Sequence, residues 1–384
     1  MDMSNEARKE KIVLIGPVYP YKGGISHYTG MMYRALSKKY QTYMVSYSFQ
    51  YPKLLYKKEQ RDYTNDSFRV EDTKYWIHTA NPVNWIHAAS KIKKLQPDLV
   101  IIQWWHPYFA PCYWTLTRML GKLKILFVCH NVFPHERFPM DRMLTKMVLK
   151  RGNAFIVQSG KDAKDLQTIL PGAKYEQAVH PTYNAFKFEN MSKKKARELL
   201  DITEKEKVLL FFGFVREYKG LKYLIQALPR ITEKCEDVRL FVVGDFGSAE
   251  NREVYEKLME ENQVKDFVTI CDGYIPDREI EKYFAACDLV VLPYVSATQS
   301  GIVQIAYGFE KPVVVTNVGG LPDVVEDGKT GYVVEPENPV ALADAVVRYF
   351  AENREEEFEE NVKKEAYRFD WDRMVETVER LNQG

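Results

Sequence analysis

The chain has 384 residues, 46% hydrophobic and 28% charged, with 20 Gly and 18 Pro. That composition is ordinary for a soluble globular protein too long for one core, and it excludes a single small module, a fibrous repeat and a disordered chain. The formal charge of +1 hides an asymmetry: residues 1–180 carry 27 Lys and Arg against 14 Asp and Glu (+13), and the remainder carries 27 against 39 (−12). A basic half predicts an anionic partner for it, whether nucleic acid, membrane surface or phosphorylated substrate.

In chain order, MDMSNEARKEKIVLIGP passes from charged residues into a short apolar run, without the apolar core and small-residue cleavage site of an export signal. No apolar run reaches the roughly 18 residues that cross a bilayer. A cytoplasmic chain is expected, with any membrane contact peripheral. The next apolar runs, at 43–49, 98–105, 124–131, 154–159 and 175–179, join 11–17 as predicted strands, and their near-continuous hydrophobicity suits a parallel sheet covered on both faces. Segments such as TGMMYRALSKK and MLTKMVLKRG between them have apolar residues at helical spacing. A second series follows at 208–214, 239–245, 267–273, 288–294, 312–318 and 330–336. Two doubly wound α/β domains result, at 1–180 and 193–365, with a linker at 181–192 and an acidic helical tail at 366–384 expected to pack back on the first domain. The five cysteines, Cys112, Cys129, Cys235, Cys271 and Cys287, contain no C-x-x-C pair and read as reduced structural thiols.

Ligands of such sheets bind beyond the carboxyl ends of the strands, so a cleft between the two domains is expected and the residues after each strand are the ones to read. After the first strand, Gly23 and Gly24 precede a helix, where bare backbone amides can approach an anion, although an ordinary tight turn uses glycine too. Neither G-x-G-x-x-G nor a P-loop is present. His130 ends the strand KILFVC, and Trp104, Trp105 and His106 end DLVIIQWW, where aromatic faces with a His donor suit a sugar or lipid-linked acceptor and core packing suits at least one Trp. In the second half, Arg216 and Lys219 follow a strand and precede a helix, an end where cations are disfavoured unless an anionic ligand is present. The loop at Tyr274 and Ile275 offers backbone amides to a base edge, and Ser300, Gly301 and Ile302 open a helix whose first amides form a second anion site. The arrangement converges on a diphosphate.

The stretches GPVYPYKGGIS, HNVFPHE, GFVREYKGL and the run from Tyr274 to Val346 together resemble the retaining family four glycosyltransferases of GT-B fold, over nearly the whole chain. That resemblance implies acceptor binding in the first domain and a nucleoside-diphosphate sugar in the second. It places the diphosphate on Arg216, Lys219, Gly23, Gly24, Ser300, Gly301 and Ile302, and the transferred sugar on His130. The nucleoside falls on Tyr274, Ile275 and Gln304, and the donor sugar or acceptor on Thr298, Gln299, Trp105 and His106. His130, Arg216 and Lys219 are the expected catalytic groups, and no metal or other cofactor is expected, as there is no D-x-D motif.

One departure stands out. Many family members carry two Glu residues, separated by seven, around the helix start. Here those places hold Ala297 and Ile305, or Thr298 and Ala306 in the other alignment, and residues 282–309 contain no Glu. The implied activity is retaining hexosyl transfer to a saccharide or lipid-linked acceptor in bacterial-type surface polysaccharide or glycolipid synthesis, by front-side attack. The alternatives are a silent nucleotide-sugar-binding partner subunit and a GT-B sugar-nucleotide 2-epimerase. A nucleic-acid role lacks any recognition motif. Lys38, Lys39, Lys57, Lys58, Lys91, Lys93, Lys94, Lys146, Lys150 and Arg151 are expected to meet an anionic membrane face or a lipid pyrophosphate.

Overall fold

Runs of Val, Ile, Leu and Phe build two parallel sheets in the computed structural model, which describes residues 9–55, 59–64, 66–134, 137–181 and 184–383. Lys57, Lys58, His135 and Glu136 lie outside the described residues. The chain divides into unit 1, residues 1–178 with 371–384, and unit 2, residues 179–370. The linker residues 181–192 therefore group with unit 2, and the chain returns to unit 1 at Trp371 rather than at 366.

Unit 1 holds β1 (Lys11–Ile15), β2 (Gln41–Phe49), β3 (Lys74–His78), β4 (Leu99–Trp104), β5 (Lys124–Cys129), β6 (Ala154–Val157) and β7 (Tyr175–Gln177), in the order β3-β2-β1-β4-β5-β6-β7. All pairings are parallel. The winding direction reverses between β1 and β4, so the crevice that a doubly wound sheet offers a ligand lies at their carboxyl ends. β3 has no counterpart among the predicted strands. It is an edge strand in which Ile77 alone is fully buried, and KYWIH lacks the continuous apolar run of a central strand.

Helices cover both faces of this sheet. Gly24–Ser37 and Trp371–Gln383 share a core with β1 and β4 on one face, while Pro82–Lys94, Ala110–Leu120 and Asp141–Leu149 pack on the other. The C-terminal helix is held by an apolar stripe, Met374, Val375, Val378 and Leu381, all buried. Its polar side pairs Asp372 with Lys38 and Glu379 with Lys39, and Arg380 with Glu176.

Unit 2 holds β8 (Lys207–Phe212), β9 (Val238–Gly244), β10 (Val268–Asp272), β11 (Leu289–Leu292), β12 (Val313–Thr316) and β13 (Gly331–Val334), in the order β10-β9-β8-β11-β12-β13. Its reversal falls between β8 and β11. The segment 188–191 is anchored by one buried carboxylate: Glu281 accepts from the amides of Phe188 and Glu189 at 2.8 Å and of Met191 at 2.7 Å. Asp288 does the same for the start of β8, accepting from Val208 N at 2.7 Å and from the buried Arg197 guanidinium at 2.8 Å. The cysteines are free thiols, and burial pushes Cys287 up to about 12. Among the described residues no helix is long and apolar enough to cross a membrane.

Candidate active site

At the unit 2 switch point the loops after β8 and β11 are closely joined. Val295 N donates to Tyr218 O at 2.7 Å, and Gly220, at φ 68°, lies so near that a β-carbon on it would sit 1.9 Å from Pro293 O. Only glycine fits there, on both conformational and steric grounds. This closure holds Lys219 in a short turn, Glu217–Lys219, with 9% of its surface exposed. Its ammonium lies 5.4 Å from the centre of the Tyr294 ring.

Among the described residues, the groups that act on Lys219 are Tyr218 and Arg216, and no carboxylate is one of them. Burial lowers its pKa, the Tyr218 hydroxyl opposes this, and the nearby Arg216 charge lowers it further. A buried cation without a counter-charge is costly unless a ligand supplies one. The amine packs against the backbone of Gly213: a β-carbon there, at φ 107°, would lie 2.8 Å from Lys219 Nζ and 3.7 Å from Ile302 Cδ1. Arg216 is exposed, with a β-carbon on Gly247 falling 3.5 Å from its Nη1.

Ser300 caps the helix Gly301–Gly308, its Oγ accepting from Ile302 N at 3.2 Å and lying 3.3 Å from Tyr294 Oη. The Ile302 amide expected to meet a ligand is thus drawn into the cap, while the Ile302 side chain stands beside Gly213. Thr298 is buried, with its carbonyl accepting from Gly320 N at 2.8 Å, and Gln299 is half-buried in the same loop. Gln304 is 1% exposed and its Oε1 has no hydrogen-bond partner among the described residues. Tyr274 and Ile275 are half-buried after Gly273, at φ 127°, whose amide donates to Gly244 O at 3.2 Å.

In unit 1, Gly23 begins the helix Gly24–Ser37 at φ 106° without a side-chain cap, and β-carbons on Gly23 or Gly24 would meet nothing within 4 Å. The Gly23 carbonyl accepts from Ser26 N at 3.0 Å and His27 N at 3.3 Å. His130 directly follows β5, at its carboxyl end, and is buried. Its Nε2 lies 2.7 Å from Oε1 of Gln103, which cannot donate, so Nε2 carries the proton and the ring is fixed in one orientation. Tyr28 presents its ring to His130 edge to face at 4.6 Å. The loop after His130 is held by Asp162, buried, whose Oδ1 accepts from Val132 N at 2.9 Å.

Trp105 and His106 have local partners instead. Trp104 is fully buried and Trp105 Nε1 donates to Tyr51 Oη at 2.9 Å, with its ring 4.3 Å from Phe109. His106 Nδ1 accepts from Tyr108 N at 3.0 Å, capping the turn Pro107–Phe109, and burial lowers its pKa. A recess of about 530 Å³ lies elsewhere in unit 1, lined by Tyr19, Arg61, Tyr63, Arg69 and Tyr75 among others. Arg61 is held there by Tyr21 Oη at 3.0 Å and Tyr63 Oη at 3.3 Å.

Sequence reading missed Gln103, Gly16, Glu281 and this recess. Gln103 is the polar residue inside DLVIIQWW, a signal in itself, and Gly16 is fixed by close approach, since a β-carbon there would lie 2.6 Å from Gln103 Cγ.

Residues 22–176 match the profile described as Glycosyltransferase Family 4 and residues 206–352 that of Glycosyl transferases group 1. An uncharacterized glycosyltransferase of Methanocaldococcus jannaschii is 31% identical over 47% of this chain and 46% of its own length. Spore coat protein SA of Bacillus subtilis is 27% identical over 79% of this chain and 76% of its own. A D-inositol 3-phosphate glycosyltransferase of Corynebacterium urealyticum is 27% identical over 64% and 60%. The match to the archaeal relative thus spans about half of that protein. Among solved structures, sucrose-phosphate synthase from Thermosynechococcus elongatus superposes with a TM-score of 0.73 at 19% identity over 98% of both chains. Anabaena HepE in complex with UDP and glucose gives 0.73 at 16% identity over 97% of this chain and 100% of that one.

Proposed function

The chain belongs to the family 4, group 1 glycosyltransferases of GT-B fold, and we propose that it transfers a hexose-type sugar, with retention, from a nucleoside-diphosphate sugar to a saccharide or lipid-linked acceptor. The observation that carries this reading is Lys219, a buried cation on which no carboxylate acts among the described residues, its amine packed against Gly213 at the switch point. A diphosphate is the ligand that would supply its missing counter-charge.

In this reading Lys219 and Arg216 neutralise charge as the bond from the anomeric carbon to the diphosphate oxygen breaks. Lys219 acts as a buried point charge and Arg216 as an exposed fork. The acceptor oxygen attacks the same face, and its proton passes to the departing phosphate oxygen. Both cations belong to the chain, so transfer is proposed to need no added metal ion. Ser300 and Gly301 offer helix-start polarity, and Gly23 and Gly24 offer approachable backbone. His130, held by Gln103, is assigned to the transferred sugar. Gln304, with its unsatisfied Oε1, is the first candidate for the hydroxyl contacts that a carboxylate pair supplies in other members, with Thr298 and Gln299 in the adjoining loop. Tyr274 and Ile275 are assigned to the base. The recess at Arg61 and Arg69, next to the loop bearing Gly23, is the candidate acceptor region. Surface polysaccharide or glycolipid synthesis is the process proposed.

The reading is tested by thermal-shift screening of UDP-, GDP- and ADP-sugars, followed by incubation of the stabilising donor with and without EDTA. A ligand that binds only the folded chain raises its melting temperature. Release of nucleoside diphosphate in EDTA supports transfer. Conversion of the donor to a second sugar nucleotide without acceptor marks an epimerase, and binding without any turnover marks a silent subunit.

A further inference from the structure

The structure sorts the basic residues of unit 1 into two sets. Lys38 and Lys39 are paired with Asp372 and Glu379 of the C-terminal helix, so they do not form a free cationic patch. A second group, Lys91, Lys93, Lys94, Arg118, Lys122, Arg142, Lys146 and Lys150, lies on or just beyond the helices Pro82–Lys94, Ala110–Leu120 and Asp141–Leu149 on the opposite face of the sheet. The first two of these pack side by side, with Lys93 Nζ 3.4 Å from Met119 O, and the third packs against the second.

The three helices themselves carry no exposed carboxylate. Residues 82–95 and 107–123 contain no Asp or Glu, and Asp141, the single acid of 137–153, is buried and paired with Arg137. The cations are all exposed: Lys91, Lys93 and Lys94 on the first helix, Arg118 on the second with Lys122 just beyond it, Arg142 and Lys146 on the third with Lys150 at its C-cap. Complementing the helix dipole accounts for lysines in a last turn, but not for the absence of acids across three helices. Nor does it account for the apolar residues among them. Val83 is 62% exposed and Ile86 46%, on the stripe that continues through Ser90 to Lys94, and Met119 and Met143 stand on the neighbouring helices at 42% and 58%. A recess of about 610 Å³ opens between the ends of the first two helices, flanked by Lys93 and Lys122 and by the exposed carboxylate of Asp98.

We propose that this three-helix face is a docking surface for an anionic phospholipid bilayer. Exposed lysines meet the negative headgroups while Val83, Ile86, Met119 and Met143 enter the boundary of the acyl region. The complementarity is of two kinds, in charge and in apolar area. The exposed apolar residues are aliphatic or Met rather than the aromatic platforms on which single-stranded nucleic acids stack, which favours lipid over nucleic acid. The proposal rests on the surface of unit 1 alone and is independent of the donor assignment.

The test is co-sedimentation of the full chain with vesicles of phosphatidylcholine alone and of phosphatidylcholine with phosphatidylglycerol, at low and high salt. Binding is expected only with phosphatidylglycerol and is expected to fall with salt. The triple variant Lys91→Glu, Lys93→Glu, Lys94→Glu should weaken binding by on the order of a hundred-fold, the change that about 1 kcal/mol per surface lysine implies for three. A control with the same charge change in unit 2, Lys194→Glu, Lys205→Glu, Lys257→Glu, should bind like the parent. Val83→Ser with Ile86→Ser, which leaves the charge unaltered, should also weaken it. Equal loss in the control, binding indifferent to phosphatidylglycerol, or an oligonucleotide bound where vesicles are not would each overturn the proposal. Melting temperatures of all variants separate loss of the surface from loss of the fold.

Discussion

Gly213 and Lys219 are bound by a steric relationship: a β-carbon on residue 213 would lie 2.8 Å from the Lys219 amine, at a backbone φ of 107°. The glycine makes room for the buried amine itself. Gly213→Ala should therefore cost about 1–3 kcal/mol of backbone strain and displace the amine. Donor affinity is expected to fall, with a lowered melting temperature. Unchanged donor affinity in a folded Gly213→Ala chain would separate this space from donor binding.

Protonation of Lys219 gives a second prediction. Its pKa is held below the ordinary 10.5, chiefly by burial. Between that lowered value and 10.5 the unfolded chain holds more protons than the folded one, so the stability of the unliganded protein rises with pH in this window. A diphosphate against the amine favours the ammonium, so donor binding takes up a proton there and weakens as pH rises. Calorimetric titration in two buffers of different ionisation enthalpy measures the uptake, and Lys219→Met should abolish it.

A third concerns the His130 ring at the carboxyl end of β5. Gln103→Leu removes the oxygen that accepts from His130 Nε2 at 2.7 Å. It should cost about 1–3 kcal/mol for the buried group left unpaired and lower kcat more than donor KM. Gln103→Glu keeps an acceptor at that position and should restore much of the turnover. Equal kcat in Gln103→Leu and the parent would remove Gln103 from the positioning of His130.

Glu281 tests the architecture rather than the chemistry. Its carboxylate accepts from three backbone amides of residues 188–191. Hydrogen bonds to a charged group are worth about 1.5–3 kcal/mol each, so Glu281→Ala should lower stability by at least about 3 kcal/mol in chemical denaturation. A loss below 1 kcal/mol would mean the segment is held by other contacts.

What the sequence displayed follows from burial. Central strands such as KIVLI, LVIIQW and VLLFFG-type runs are covered on both faces, so hydrophobicity alone marks them, while the edge strand KYWIH carries exposed residues and left no such mark. Positions at strand ends were legible, which brought His130, Arg216 and Lys219 into view. Their partners were not. That Trp105 is hydrogen-bonded to Tyr51, that His106 caps its own turn and that Lys38 and Lys39 are neutralised by the tail depends on residues distant in sequence or on local turn geometry that composition does not encode. Likewise the acid that could be sought near the helix at Gly301 is absent, and the buried Glu281 is committed to backbone amides.

The most direct test of Lys219 as the diphosphate-binding charge of a glycosyltransferase is single-variant turnover with melting temperature measured on the same sample. Lys219→Met replaces a buried, uncompensated cation with an apolar chain of similar length, so its melting temperature should equal or exceed that of the parent. Its turnover should fall by about 10²–10³-fold, the usual loss on removing a group aimed at developing charge. Undiminished transfer by a folded Lys219→Met chain would contradict the assignment.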